Sequence, residues 1–217
     1  MQYLSNQMEA TADRDIIQGI LDGNAALFEI LIRRYNQVLY KIARSYGFSH
    51  QDAEDLMQDT HVAAYLSLGR FEFRASYKTW ISRIMINKCL YRLKYGKDRN
   101  EIAADQAQHQ PEAEVQNNQT ENTILNRELA LILEKSIQEL PLLYRTVFVL
   151  REIEGFSVAE TAELLGITSI NVKVRLNRAR TLLQKQMEQF YSRKEIYSFN
   201  LCYCDAIVEK VFSRIRS

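Results

Sequence analysis

Apolar residues recur along this chain at helical spacing, three and four positions apart, and divide it into a series of short helices. Ile16, Ile17, Ile20 and Leu21 predict a short helix that opens at Asp13 and ends near Asp22-Gly23. Leu27, Leu31, Tyr35, Val38 and Ile42 predict a long helix over about 25–46, with Asn24 as its cap and Gly47 after it. Ser49 is placed to cap a third helix, QDAEDLMQDTHVAAYLSL, closed by Gly69. A short loop, FEFRAS, precedes a helix from Tyr77 onward, with Trp80, Ile84 and Cys89 or Leu90 on its apolar side. Residues 100–122 lose this periodicity and are polar and acidic, which reads as a flexible linker. Helix returns at about 123–140, on Ile124, Leu125, Leu129, Leu133 and Ile137, and Pro141 suits the first position of the next helix, ended by Gly155. The expectation is an all-α protein of two small helical domains, 1–99 and 123–192, followed by a tail at 193–217.

The strongest local pattern lies at 156–186. Ser157 and Glu160 form a capping box, in which the hydroxyl accepts from the Glu160 amide and the carboxylate accepts from the Ser157 amide. Val158, Ala162 and Leu165 give the short helix one apolar stripe, and Gly166 follows it where a left-handed residue is needed. Thr168 can cap the next helix, which has Val172, Leu176, Ala179 and Leu183 on one face and Asn171, Val174, Arg175 and Arg178 on another. Lys173, Arg175, Arg178, Arg180 and Lys185 lie between Gly166 and Gln186 with no acid among them. A capped helix, a glycine turn and a second helix of one charge sign read as a helix-turn-helix. Arg offers a fork to guanine, Asn can pair with adenine, and the other cations suit phosphates. The plainer reading is an amphipathic helix with a solvated basic face.

Charge segregation adds two more surfaces. Net charge is only +1, so the total says nothing about a polyanionic partner. The third helix is acidic early, with Asp52, Glu54, Asp55 and Asp59; this suits the helix dipole and equally suits a basic partner. The fourth carries Lys78, Arg83, Lys88, Arg92, Lys94, Lys97 and Arg99 against the single acid Asp98, interleaved with Tyr77, Tyr91 and Tyr95. Aromatic faces among cations suit single-stranded nucleic acid, where bases stack and phosphates need charge.

Composition closes off other classes. The chain has 217 residues, with Gly 7 and Pro 2, too few turn residues for a loop-rich or all-β fold. Three cysteines (Cys89, Cys202, Cys204) form no disulfide framework and fit a reducing cytoplasm; the C-x-C pair reads as ordinary thiols rather than half a metal site. The N-terminus lacks a signal-peptide core, and no apolar run is long enough to span a bilayer. No Gly-rich phosphate loop, zincin motif or nucleophile elbow appears, so no catalytic residue, metal or cofactor is assigned.

Two separated basic blocks point to contact with two DNA segments, one of them unpaired. In order and spacing, over about 25–187 apart from the linker, the segments resemble the bacterial RNA polymerase sigma factors of the extracytoplasmic-function (ECF) group. LFEILIRRYNQVLYKIARSYG resembles the family's first conserved region, DAEDLMQDTHVAAY its polymerase-binding helix, and RFEFRASYKTWISRIMINKCLYRLK its promoter-opening segment, with Phe71, Thr79, Trp80, Arg83, Ile84 and Asn87 matched. The stretch from Leu140-Pro141, through Arg151 to Gly155, to Arg178-Ala179-Arg180 resembles its second domain.

The resemblance implies that Asp52, Asp55, Gln58 and Asp59 dock on core polymerase. It implies that the loop from Phe71 through Arg74 to Tyr77 takes a base flipped from the −10 element, and that Asn87, Lys88, Tyr91 and Arg92 hold that strand. It implies that Ser169, Asn171, Lys173, Val174, Arg175 and Arg178 meet the −35 element. An anti-sigma protein is the implied inhibitor, and the cytoplasm the implied location. Ile170-Asn171 stands where the family usually has Gly-Thr, Val174 where it usually has Ser, and the loop lacks its frequent Gly-Asp. The alternative function is a stand-alone helix-turn-helix regulator of duplex DNA, which leaves the acidic third helix and basic fourth helix unexplained.

Overall fold

The computed structural model describes residues 12–95 and 121–190, together with Val211. Most of the expected linker, the tail and the pair Cys202 and Cys204 lie outside the described residues. All regular structure among the described residues is helical. Helix α1 is Asp13–Leu21; a 3-10 turn at Ala25–Leu27 leads into α2, Phe28–Ser45. Helix α3 is His50–Ser67, and a second 3-10 turn, Leu68–Arg70, precedes the loop to α4, Tyr77–Tyr95. Helix α5 is Glu121–Glu139, and α6, Leu142–Phe148, runs into one π turn, Val149–Ile153. Helices α7, Val158–Leu165, and α8, Ser169–Phe190, complete the fold.

Helices α2, α3 and α4 pack around one core in which Leu31, Leu39, Ile42, Ala53, Leu56, Ile81, Met85 and Ile86 are almost wholly buried, and α1 adds Ile16, Ile17 and Ile20. Burial at this scale is the main stabilising term, about 1.5–3 kcal/mol for each large apolar side chain. Cys89 lies in this core, and burial pushes its thiol up to about 12, so it stays a protonated packing residue. In the second half, Val172, Leu176, Ala179 and Leu183 are all buried, as their spacing predicts, with Val147 and Leu140 in the same two clusters. The two halves share a boundary: Leu150, Phe156 and Leu164 belong to the first core cluster. Arg145 crosses the same boundary, donating to the Ser45 carbonyl at 2.6 Å and the Gln138 carbonyl at 2.5 Å; burial, and then Arg44, lower its pKa.

Some local expectations are corrected. Asn24 makes no side-chain cap, because a 3-10 turn stands between it and α2. Pro141 sits before the first turn of α6, in extended conformation (ψ 139), and its carbonyl accepts from the Tyr144 and Arg145 amides. Gly69 falls inside a 3-10 turn. The buried row of α4 is Tyr77, Ile81, Met85 and Cys89, while Leu90 is half exposed and Trp80 and Ile84 are partly buried. Helix α4 touches α2 and α3 on one side and α7 on another, so no single stripe describes its burial.

Candidate nucleic-acid and polymerase interfaces

The second half holds α7 and α8 by short-range caps. The Ser157 hydroxyl accepts from the Glu160 amide at 3.1 Å, and the Glu160 carboxylate accepts from the Ser157 amide at 2.8 Å. Those bonds, with one from Thr79, lower the Glu160 pKa. Gly166 takes φ +63, which a side chain would strain, and turns the chain into α8. The Thr168 hydroxyl accepts from the Asn171 amide at 3.2 Å, the expected cap. Ser169, Asn171, Lys173, Val174 and Arg178 are then exposed at one end of α8, and Arg175 is half-buried. Arg178 donates to the Tyr144 hydroxyl at 3.2 Å and Arg180 to Glu152 at 2.8 Å.

On the first half, the loop 71–76 rests on an aromatic cluster. The ring centroids of Phe71 lie 4.6 Å from Phe73, 5.0 Å from Trp80 and 5.9 Å from Tyr77. Phe71 and Tyr77 are themselves buried, so their rings form the floor of the loop and offer no free face to a base. Phe73 holds φ +56, rare for a bulky residue, with Arg14 4.7 Å above its ring. Arg74 is exposed and pairs with Glu72 at 2.7 Å. Along α4, Asn87 and Tyr91 are exposed and Lys88 is half-buried; the Tyr91 and Tyr95 rings lie 4.7 Å apart, an open aromatic step beside Lys94.

Helix α3 presents Asp55, Gln58 and Asp59 to solvent. Val62 and Leu66 continue the same face at helical spacing and are 59% and 79% exposed, an apolar extension that the charge pattern does not reveal. Asp52 stands apart from this row. It accepts from Ser49, which also caps α3, and pairs with Arg92 at 2.6 Å. One residue expected to meet polymerase and one expected to meet DNA are therefore joined to each other.

Acids of the second half cover the start of α4. Glu154, its side chain 5% exposed, pairs with Lys41 at 2.8 Å and Lys78 at 3.6 Å. The Lys78 ammonium also donates to the Glu154 carbonyl at 2.5 Å and sits 4.6 Å from the centre of the Phe156 ring. The Thr79 hydroxyl donates to Glu160 at 2.8 Å, and Arg83 pairs with Glu163 at 2.5 Å. Sequence reasoning misses these partners; an acid at 154 between apolar Leu150, Ile153 and Phe156 is the one signal for a buried carboxylate. Among the described residues no group of three metal-ligating side chains occurs, and no helix is long and apolar enough to cross a membrane.

Residues 31–99 match the Sigma-70 region 2 family and residues 130–183 match Sigma-70, region 4. The RNA polymerase sigma factor CnrH of Cupriavidus metallidurans is 31% identical over 188 residues, covering 82% of this chain and 95% of that one. The ECF RNA polymerase sigma factor SigM of Mycobacterium tuberculosis is 28% identical over 174 residues, covering 80% and 84%. Among solved structures, CnrH in complex with the cytosolic domain of CnrY superposes with a TM-score of 0.59 at 27% identity, over 82% of this chain and 99% of that one. The sigma factor RpoE in complex with the anti-sigma factor NepR from Bartonella quintana shares the fold, with a TM-score of 0.59 at 23% identity, over 74% and 96%. With an acidic helix, an aromatic basic helix and a capped helix-turn-helix in the family's order, the chain belongs to the RNA polymerase sigma factors of the ECF group.

Proposed function

We propose that this sigma factor docks on core polymerase through α3, with Asp55, Gln58 and Asp59 as the charged part of the contact and Val62 and Leu66 as its apolar continuation. Asp52 serves mainly to anchor Arg92. The −35 duplex is read by α8 through Asn171, Lys173, Val174, Arg175 and Arg178, with Ser169 at its entry. The melted −10 strand lies along Asn87, Lys88, Tyr91 and Arg92, and Arg74 borders the loop that Phe71 and Tyr77 support. The protein works in the cytoplasm, carries no catalytic chemistry of its own, and is inhibited by an anti-sigma protein, as the CnrH–CnrY and RpoE–NepR complexes suggest by likeness.

The observation that carries this reading is the pair of cationic helices, one with two adjacent exposed tyrosines whose rings are tilted at 43° and one with a capped N-terminal end. Unpaired bases suit the first and a duplex groove the second. Because Glu154, Glu160 and Glu163 cover Lys78, Thr79 and Arg83 at the start of α4, extending the strand's path from Asn87 toward that end requires the second half to move away.

In vitro transcription tests the reading, using the purified chain with bacterial core polymerase on genomic fragments and mapping the 5′ ends. Discrete starts sharing two upstream motifs are expected; absence of core binding would return the protein to the class of stand-alone duplex binders. Asp55→Arg should cut core binding by at least tenfold with the thermal transition unchanged, and undiminished binding would remove α3 from the docking surface.

A further inference from the structure

The end of α8 assigned to DNA carries two apolar side chains in the open. Ile170 is 73% exposed and Val174 43% exposed. They stand one helical turn apart, while the buried face of the same helix is completed by Val172, Leu176, Ala179 and Leu183. Neither is needed for the core, and neither is favoured on an exposed helix, where β-branched side chains lose rotamer freedom. Their neighbours Asn171 and Lys173 are exposed, Arg175 lies between them and the core face, and no acid occurs between Gly166 and Gln186. The partner of this surface is therefore anionic and yet offers apolar groups.

We propose that Ile170 and Val174 read the C5-methyl groups of thymines in the major groove of the −35 element. The thymine methyl is the apolar group that base edges present in that groove. Four residues advance about 6 Å along a helix, and successive bases on one strand are about 3.4 Å apart. The two side chains thus suit thymines one or two steps apart. Asn171 lies between them in sequence and can take the adenine of such a pair through its N6 and N7 atoms. The recognised element accordingly contains closely spaced A·T pairs, with Arg175 and Lys173 on an adjoining guanine or on phosphates. This rests on the sigma-factor reading and narrows it to a readout chemistry.

The test begins by selecting −35 duplexes from a randomised pool with the full chain bound to core polymerase. Each thymine of the selected element is then replaced, one at a time, by deoxyuridine, which keeps the pairing and removes only the methyl. Loss of one buried methyl should weaken promoter binding about fourfold at one or two positions. Ile170→Ala and Val174→Ala should each lose sensitivity at one of those positions, while still binding core polymerase; Ala favours the helix, so folding is preserved. Wild-type binding indifferent to every deoxyuridine, or variants that keep the full deoxyuridine penalty, would overturn the proposal and leave the apolar pair to a protein partner. Selection that yields no upstream motif at all would instead overturn the −35 reading itself, and the proposal with it.

Discussion

The cationic helices α4 and α8 stand in opposite conditions. On α4, Lys78, Arg83 and Arg92 each have an acidic partner, and Thr79 donates to a fourth carboxylate. On α8, Lys173 and Arg175 pair with no acid among the described residues, and the apolar Ile170 and Val174 face solvent. The start of α4 is thus covered from within the chain, while its Asn87–Tyr95 end and the 169–175 end of α8 stay open. A run of cations in a sequence thus specifies a potential surface, while its availability depends on acids that the fold brings from elsewhere.

Glu154 is where this difference breaks most sharply. Its carboxylate is buried between Lys41 and Lys78, and removing one member of a buried ion group leaves the others uncompensated. Allowing for the partly exposed lysines, Glu154→Gln should weaken the contact between halves by about 2–3 kcal/mol. Fluorophores placed on α3 and α8 would then report a larger mean separation, and an unpaired −10 oligonucleotide should bind more tightly. Unchanged oligonucleotide affinity would mean that the covered part of α4 contributes little to holding the strand.

The open helix should respond differently. Arg175→Ala is expected to cost about 1–3 kcal/mol at its cognate base pair if the guanidinium forks onto a guanine, with no effect on the spacing between halves. Promoter binding across single-base variants of the −35 element measures this. A uniform loss over all variants would assign Arg175 to phosphate instead.

Acid separates the halves again. His61 is buried against Phe28, with Nε2 2.9 Å from the Asn36 side-chain oxygen, and burial lowers its pKa to about 4. A depressed histidine contributes stability that is fully present above its ordinary value near 6.5 and is lost as pH falls toward 4. Thermal unfolding of the first half should therefore weaken over that window, and His61→Gln should flatten the dependence. Residues 121–190 contain no histidine, so an equal loss there over the same window would point to the shared boundary rather than to His61.

Local features of both halves are legible in the amino-acid sequence, for physical reasons that can be named. The capping box at Ser157 and Glu160, the glycine turn and the buried row of α8 depend on residues within one or two turns, and all appear as expected. The apolar row of α4 departs from its expected positions because three helices pack on it, which no single periodicity encodes. Family position assigns Phe71 and Tyr77 to a flipped base, yet the aromatic cluster buries both. The partners of Lys78, Thr79 and Arg83 lie across the linker in sequence, where spacing carries no information about them.

The weakest link in the cover is also the most informative control. Arg83 and Glu163 approach to 2.5 Å, but both side chains are about half exposed, at 43% and 58%. An exposed ion pair gains little, because water and salt screen it and two flexible side chains must be ordered; about 0–1 kcal/mol is the usual yield. Glu163→Gln should therefore shift the separation between halves only slightly, and less still in high salt, where the Debye length shrinks. The same rise in salt should leave the buried Glu154 contact largely in place. If Glu163→Gln opened the molecule as far as Glu154→Gln, the halves would be held by surface charge alone. The apolar share of the boundary, Leu150, Phe156 and Leu164, would then have to be reassigned to the separate folding of the second half.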